Sequence, residues 1–180
     1  MRTLSLLAVV TLLASCTTYY RPVSEWEQRY FDVATFDVFP DDVRSSPSQY
    51  SDSILAWAGV VDSWSIDEST DPELLHLEMD HRFFSWAMDV GTQQFWPSPR
   101  GEGRFIARWP NPGWSLEELR ENIRVGDLFI VYGTAQQVQA DGTVDFGQAE
   151  YVRLIPQEQF RDDRIDYGRP GEPTKVLDVF

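Results

Sequence analysis

Residues 54–80 read ILAWAGVVDSWSIDESTDPELLHLEMD. Ile54–Val61 is a run of apolar and β-branched residues continued by Trp64 and Ile66, which predicts a strand. Gly59 stands inside the run, where a bulge or sharp bend is expected. Val60, Trp64 and Ile66 then fall on one face. Asp67-Glu68-Ser69-Thr70-Asp71-Pro72 closes the segment with a polar turn. Leu75, Leu77 and Met79 alternate with His76, Glu78 and Asp80, the period-two pattern of a half-buried strand. Together the two segments predict a β-hairpin.

Outward from this hairpin toward the C-terminus, the signals remain those of strands. Residues 82–96 carry Phe83, Phe84, Trp86, Met88, Val90, Phe95 and Trp96 without a clean period. Such rings either cap the core or line a surface for a partner. Arg104–Trp109 alternates, with Phe105, Ala107 and Trp109 on one face. Pro110-Asn111-Pro112-Gly113 is a turn. Ser115-Leu116-Glu117-Glu118 forms a capping box that predicts a short helix over 115–122. Leu128–Gly133 is the strongest strand signal, Asp141-Gly142 a hairpin turn, and Val144–Ile155 a returning strand interrupted near Gly147. Five or six strands, one short helix and no βαβ repeat predict an all-β protein: a small, partly open antiparallel barrel of the OB type.

Toward the N-terminus the chain changes character. Ser24–Glu27 reads as a capping box starting a short helix toward Tyr30. Phe31–Phe39 fits either a strand or an ordered extended arm, and residues 40–48, with Pro40 and Ser45-Ser46-Pro47-Ser48, read as loop. Trp26 and the tyrosines are expected to pack this arm onto the domain. Residues 1–16 read MRTLSLLAVVTLLASC. A positive start, a short apolar run and small residues before Cys16 make the three-part pattern of a secretory signal peptide. The run is too short to span a bilayer, which needs about 20 residues.

Leu13-Ala14-Ser15-Cys16 resembles the lipobox of bacterial lipoproteins. That resemblance implies cleavage before Cys16 and lipidation of its sulfur, with palmitate-type acyl chains holding the protein to a membrane. The alternative is a free thiol ending an ordinary signal peptide. Thr17, where Asp commonly retains such proteins in the inner membrane, implies the outer membrane, with the domain facing the periplasm. The organisation expected is a signal peptide over 1–15, a lipid-anchored arm over 16–50, a barrel domain over 51–160 and a tail over 161–180. Val176–Phe180 reads as a last docking strand or a frayed end.

Composition bounds the function. Cys16 is the only cysteine, so no disulfide forms within the chain and the core must hold the fold. With 42% hydrophobic residues and seven tryptophans, a core is available. A formal charge of −14 opposes nucleic-acid binding, which needs a basic footprint. Asp62–Asp80 holds seven carboxylates and no Lys or Arg. Asp67, Glu68 and Asp71 lack the spacing of an EF-hand loop, so a solvated acidic edge is expected rather than a calcium site. His76 and His81, five apart, point to opposite faces of a strand and cannot share a zinc. No glycine-rich phosphate loop or nucleophile elbow occurs. Neither catalytic residues nor a cofactor or metal are therefore expected.

The longest resemblance is to the Slp family of outer-membrane lipoproteins. It rests on Trp57-Ala58-Gly59-Val60-Val61, Leu74-Leu75-His76-Leu77-Glu78, Gly103-Arg104-Phe105-Ile106-Ala107, Asn111-Pro112, the stretch from Gly126-Asp127 to Gly133, and Tyr151. Ala58 stands where the family more often has a second glycine, Asn111 replaces Asp, and the segment from Trp86 to Pro99 does not match. The resemblance implies an OB-like envelope lipoprotein serving envelope maintenance or stress, with no catalytic residues to carry over. The expected role is a non-catalytic structural or protein-interaction module with an envelope protein partner. The alternative is a small-molecule or glycan binder. Trp86, Trp96, Trp109 and Trp114 are the candidate contact residues for either.

Overall fold

A computed structural model describes residues 18–88, 95–98, 101 and 103–160. Cys16, the leader and the tail from residue 161 lie outside them. The elements in order are β1 (Thr18–Tyr19), α1 (Glu25–Phe31), α2 (Pro40–Ser45), α3 (Pro47–Tyr50), β2 (Leu55–Asp67), β3 (Leu74–Met88), β4 (Phe95–Ser98), β5 (Arg104–Pro110), α4 (Leu116–Asn122), β6 (Leu128–Gly133), β7 (Gln137–Val138), β8 (Val144–Gln148) and β9 (Tyr151–Ile155). A single 3-10 turn, Gln157–Gln159, follows.

The sheet runs β7-β8-β5-β3-β2-β6-β9, with β1 and β4 both pairing β3. Its path does not return on itself, and β5 pairs β8 in parallel. Four α-helices accompany it among the described residues. The all-β, OB-like barrel expected from the sequence is therefore corrected to mixed α and β structure around an open, mostly antiparallel sheet. The extra helices come from residues 40–50, where the prolines do not break structure but begin it. Pro40 and Pro47 each occupy a first helical position, where a missing N–H costs nothing. Asp42 Oδ2 accepts the Phe39 N–H at 2.9 Å, and Val43 is buried.

The hairpin of β2 and β3 is the spine. Its register runs from Ala58 opposite Arg82 to Asp67 opposite Leu74. Leu75, Leu77 and Met79 are fully buried, as their alternation predicts. The bulge expected at Gly59 lies instead between Val61 and Ser63. This extra residue changes which face the later side chains occupy. Val60 belongs to one apolar cluster, whereas Trp64 and Ile66 pack on the other. Gly59 serves close approach: a Cβ there would sit 2.5 Å from Phe105 Cε1 and 2.8 Å from Met79 Cβ.

Leu55–Val61 and Leu128–Gly133 are buried along their whole lengths. Continuous apolar runs of this kind belong to strands covered on both faces. Leu55, Trp57, Val61, Phe129 and Val131 join β3, β5 and β8 residues in the larger cluster. Ala56, Ala58, Val60, Leu128, Ile130 and Tyr132 form the smaller one with Tyr20, Ile155 and Phe160. Tyr30, Phe31, Ala34 and Phe36 pack on that second cluster, so the segment after Tyr19 roofs the opposite face of the sheet. Helix α4 is started by the predicted capping box, with Ser115 Oγ and the Glu118 carboxylate reciprocally bonded. Gly142, at φ +86°, turns the chain from β7 to β8.

Candidate functional site

The smaller cluster contains a buried polar clasp built around Glu27. Ser24 Oγ accepts the Glu27 N–H at 3.1 Å and so starts α1 as expected. The Glu27 carboxylate is turned inward rather than back along the helix. Oε2 accepts the Val23 N–H at 2.7 Å. Oε1 accepts the hydroxyls of Tyr20 and Tyr132, the latter at 3.3 Å. Arg153 on β9 places Nη1 3.6 Å from Oε2 and donates to the Tyr20 hydroxyl at 2.7 Å. Glu27 is fully buried. Tyr30, Tyr132 and Tyr151 pack ring to ring around it, with centroids 5.9 to 6.4 Å apart.

Burial, reinforced by Glu27, pushes the Tyr20 phenol well above its ordinary pKa, against the opposing pull of Arg153. Burial likewise raises Tyr132, with Tyr20 and Glu27 acting in the same direction. Both phenols are thereby kept as hydrogen-bond donors to the carboxylate. Helix α1 and strands β6 and β9 are thus tied by one group. A carboxylate stripped of water is tolerated only with donors and a counter-charge around it.

The opposite face buries His81. Its ring lies 5.0 Å from the Trp57 ring, edge to face, and its Nδ1 is 2.7 Å from the Gly101 carbonyl. Burial lowers the His81 pKa to about 4, so near neutrality Nδ1–H donates to that carbonyl. His76 is half-exposed on the other side of β3, and the two histidines do point apart as their spacing predicts. Trp57 is 2% exposed, and its Nε1 has no hydrogen-bond partner among the described residues. Trp57 and His81 line a small recess with Val38, Phe39, Arg82 and Phe83.

A second buried ion pair braces the parallel strands. Arg108 donates twice to the Asp145 carboxylate, at 2.8 and 2.9 Å, and Gly147 N–H donates at 2.6 Å. Burial alone would raise the Asp145 pKa, but these bonds together with Gln137 outweigh it and hold the group low. On the acidic edge, Asp67 Oδ1 accepts from both the backbone and the hydroxyl of Ser69. Arg104 bridges Asp62 and Glu78 at 3.1 Å each. No group of three or more His, Cys, Asp or Glu side chains gathers in metal-binding fashion among the described residues.

Of the four tryptophans proposed as a contact surface, the structure brings Trp109 and Trp114 together. Trp109 is 9% exposed and lies in the larger cluster, with Trp114 edge-on at 6.0 Å. Trp86 and Trp96 lie in β3 and β4. Trp26 does not pack as the sequence suggests. It is 56% exposed, with the Arg29 guanidinium 4.5 Å from its ring centroid. Glu27 was not foreseen as a site residue. Its signal was present, because it shares a helical face with Tyr30 and Phe31, three and four residues on, where a solvated glutamate does not belong.

No protein-family model matches the chain, nor does any curated protein. Among solved structures, the chain is similar to a small single-stranded DNA-binding protein from Streptomyces coelicolor. The identity is 13%, the TM-score 0.36, and the match covers 56% of this chain and 90% of that one. A likeness of this size decides neither fold nor ligand.

Proposed function

We propose that this chain is a lipid-anchored cell-envelope protein whose folded body is a non-catalytic interaction module for a protein partner. The observation that carries the anchor is the lipobox-like Leu13-Ala14-Ser15-Cys16, and the resemblance to the Slp family agrees with it. The outer membrane, with the body in the periplasm, is the location this reading favours. What supports a non-catalytic body is the occupation of its buried ionisable groups. Glu27 clasps the N-terminal segment, Asp145 braces β5 against β8, and His81 donates to a backbone carbonyl while 3% exposed. A general base needs an open lone pair within reach of its substrate: the Glu27 and Asp145 carboxylates are bonded into the fold, and His81, whose Nε2 keeps its lone pair, is buried.

Palmitate labelling of wild type and Cys16→Ser tests the anchor: label is expected in the first alone, and equal label in both defeats it. In-cell crosslinking from sites around Trp96 tests the module. A reproducible protein partner lost on Trp96→Ala is the expected result. A second reading, binding of a small molecule or glycan, draws on the Trp57 Nε1–H beside the recess, which has no hydrogen-bond partner among the described residues. Crosslinks to no protein, with such a compound retained on purification, favour it instead.

A further inference from the structure

Trp57 and His81 meet where the sheet forks. The pairing of β2 with β3 ends at Ala58 opposite Arg82, and β3 runs on with β1 and β4 instead. Beside β2 the N-terminal segment takes its place. The Thr35 N–H donates to the Ile54 carbonyl at 2.7 Å, and the Ala56 N–H to the Thr35 carbonyl at 3.2 Å. Asp37, at φ +60°, then turns the chain off this ladder. Phe39 crosses to β3, with its ring 6.0 Å from His81 and 5.7 Å from Phe83. The recess lies inside this fork, between the strap of residues 37–39, β2 and β3.

Two ring nitrogens of opposite character belong to its walls. Trp57 Nε1–H is a buried donor with no hydrogen-bond partner among the described residues. Such a donor is costly to keep unless something accepts from it. His81 spends its Nδ1–H on the Gly101 carbonyl, 2.7 Å away, which leaves Nε2 as an acceptor. The two rings stand 5.0 Å apart, edge to face. The free volume is about 10 Å³, room for one oxygen-sized group. Phe39 and Phe83, also in the lining, are half-buried rings that keep part of their surface open to solvent.

We infer that the recess is a binding site for a neutral, hydroxyl-bearing ligand: one hydroxyl enters, its oxygen accepting the Trp57 Nε1–H and its proton going to His81 Nε2, while the rest of the molecule lies on Phe39 and Phe83. This rests on the second reading above, small-molecule or glycan binding, and names its site and ligand class. The chemistry selects the hydroxyl. A carboxylate or phosphate oxygen satisfies Trp57 but sets a second acceptor against His81 Nε2. The exposed Asp37 in the lining and the net charge of −14 oppose an anion as well. Arg82, also in the lining, donates Nη1–H to the His81 carbonyl at 3.0 Å and stands 3.8 Å from Asp80, so its charge is directed along β3. An ammonium group has no lone pair to offer Trp57. A hydroxyl both accepts and donates through one atom. Water shares that property, and the experiment separates the two.

The test uses the full chain, isotopically labelled on nitrogen, in amine-oxide micelles that carry no hydroxyl. The Trp57 indole signal is the one lost in Trp57→Phe. Methyl α-glucoside is the probe and sodium acetate the anionic comparison. A saturable shift of the Trp57 indole with the glucoside and none with acetate is expected. His81→Phe should weaken that titration about fivefold, the loss of one neutral hydrogen bond. Where His81→Phe does not fold, Phe83→Ala removes part of the ring platform and should weaken the same titration. A saturable shift with acetate overturns the ligand class. Saturable shifts elsewhere in the spectrum, with Trp57 unmoved, overturn the site while leaving the binding reading standing. No saturable shift anywhere overturns site and reading together, and a water cross-peak at the indole then identifies a bound water as the sole occupant.

Discussion

On one side of β2 and β6, Glu27 is buried among two tyrosines and an arginine; on the other, His81 is buried against Trp57 with the Gly101 carbonyl as its partner. Both groups are within a few per cent of complete burial. The carboxylate side is built from distant parts of the chain, Tyr20, Tyr132 and Arg153, each supplying a donor. The histidine side needs much less, because a histidine escapes the cost of burial by giving up its proton. The difference teaches that one face is closed by a polar lock and the other by apolar packing. The first should break when one member is removed, the second when the solution supplies protons.

The largest effect is expected at the lock. Glu27→Ala takes the shared carboxylate from the Tyr20 and Tyr132 hydroxyls and the counter-charge from Arg153, and removing one partner of a buried pair costs about 3–5 kcal/mol. Urea unfolding of the two proteins at neutral pH measures it. A loss under about 1 kcal/mol would mean that the clasp is not closed, and the contrast between the faces would fail.

Acid acts on the other face. His81 is held at about 4 in the fold against 6.5 when unfolded, so the unfolded chain binds the proton first. Stability from this group is complete above pH 6.5 and is lost as pH falls toward 4, by about 3 kcal/mol at most. Asp145, lowered from 3.8, loses its contribution only below that value, so the two windows separate. Urea titrations at pH 7, 5.5 and 4.5 should show a decline that His81→Gln flattens. An equal decline in the variant would remove His81 from the account.

A smaller effect tests the apolar packing itself. Gly59→Ala forces a methyl into Phe105 and Met79, and overpacking of this kind costs roughly 1–3 kcal/mol. A shift in melting temperature without change in the His81 pH window would show the two features to be independent. The smallest effect belongs to the helix caps. Ser24→Ala and Ser115→Ala each remove one cap bond and should each cost about 1 kcal/mol. A distinctly larger loss at Ser24 would show its cap to be coupled to the Glu27 lock one turn away.

Much of the strand content was legible along the chain. Leu75, Leu77 and Met79, and again Phe105, Ala107 and Trp109, alternate in sequence and are buried in space, because a pleated strand repeats every two residues. Ser115-to-Glu118 and Asp141-Gly142 were equally direct, since caps and tight turns are satisfied within a few residues. The helices at 40–50 were hidden by their serines and prolines, which serve loops and helix starts alike.

What the sequence by itself determined is the position of the five main strands, the two caps, the opposed directions of His76 and His81, and an aromatic-rich stretch in an acidic chain. Each depends on local periodicity or on composition. Tertiary structure alone decided that the sheet stays open, that β5 meets β8 in parallel, that the bulge falls after Val61, and that Glu27 is buried with Arg153. The partners of Glu27 stand up to 126 positions away along the chain (153 less 27). No local pattern specifies such a pairing; it exists only once the N-terminal segment has folded over the back of β2 and β6, where burial makes an unpartnered carboxylate too costly to keep.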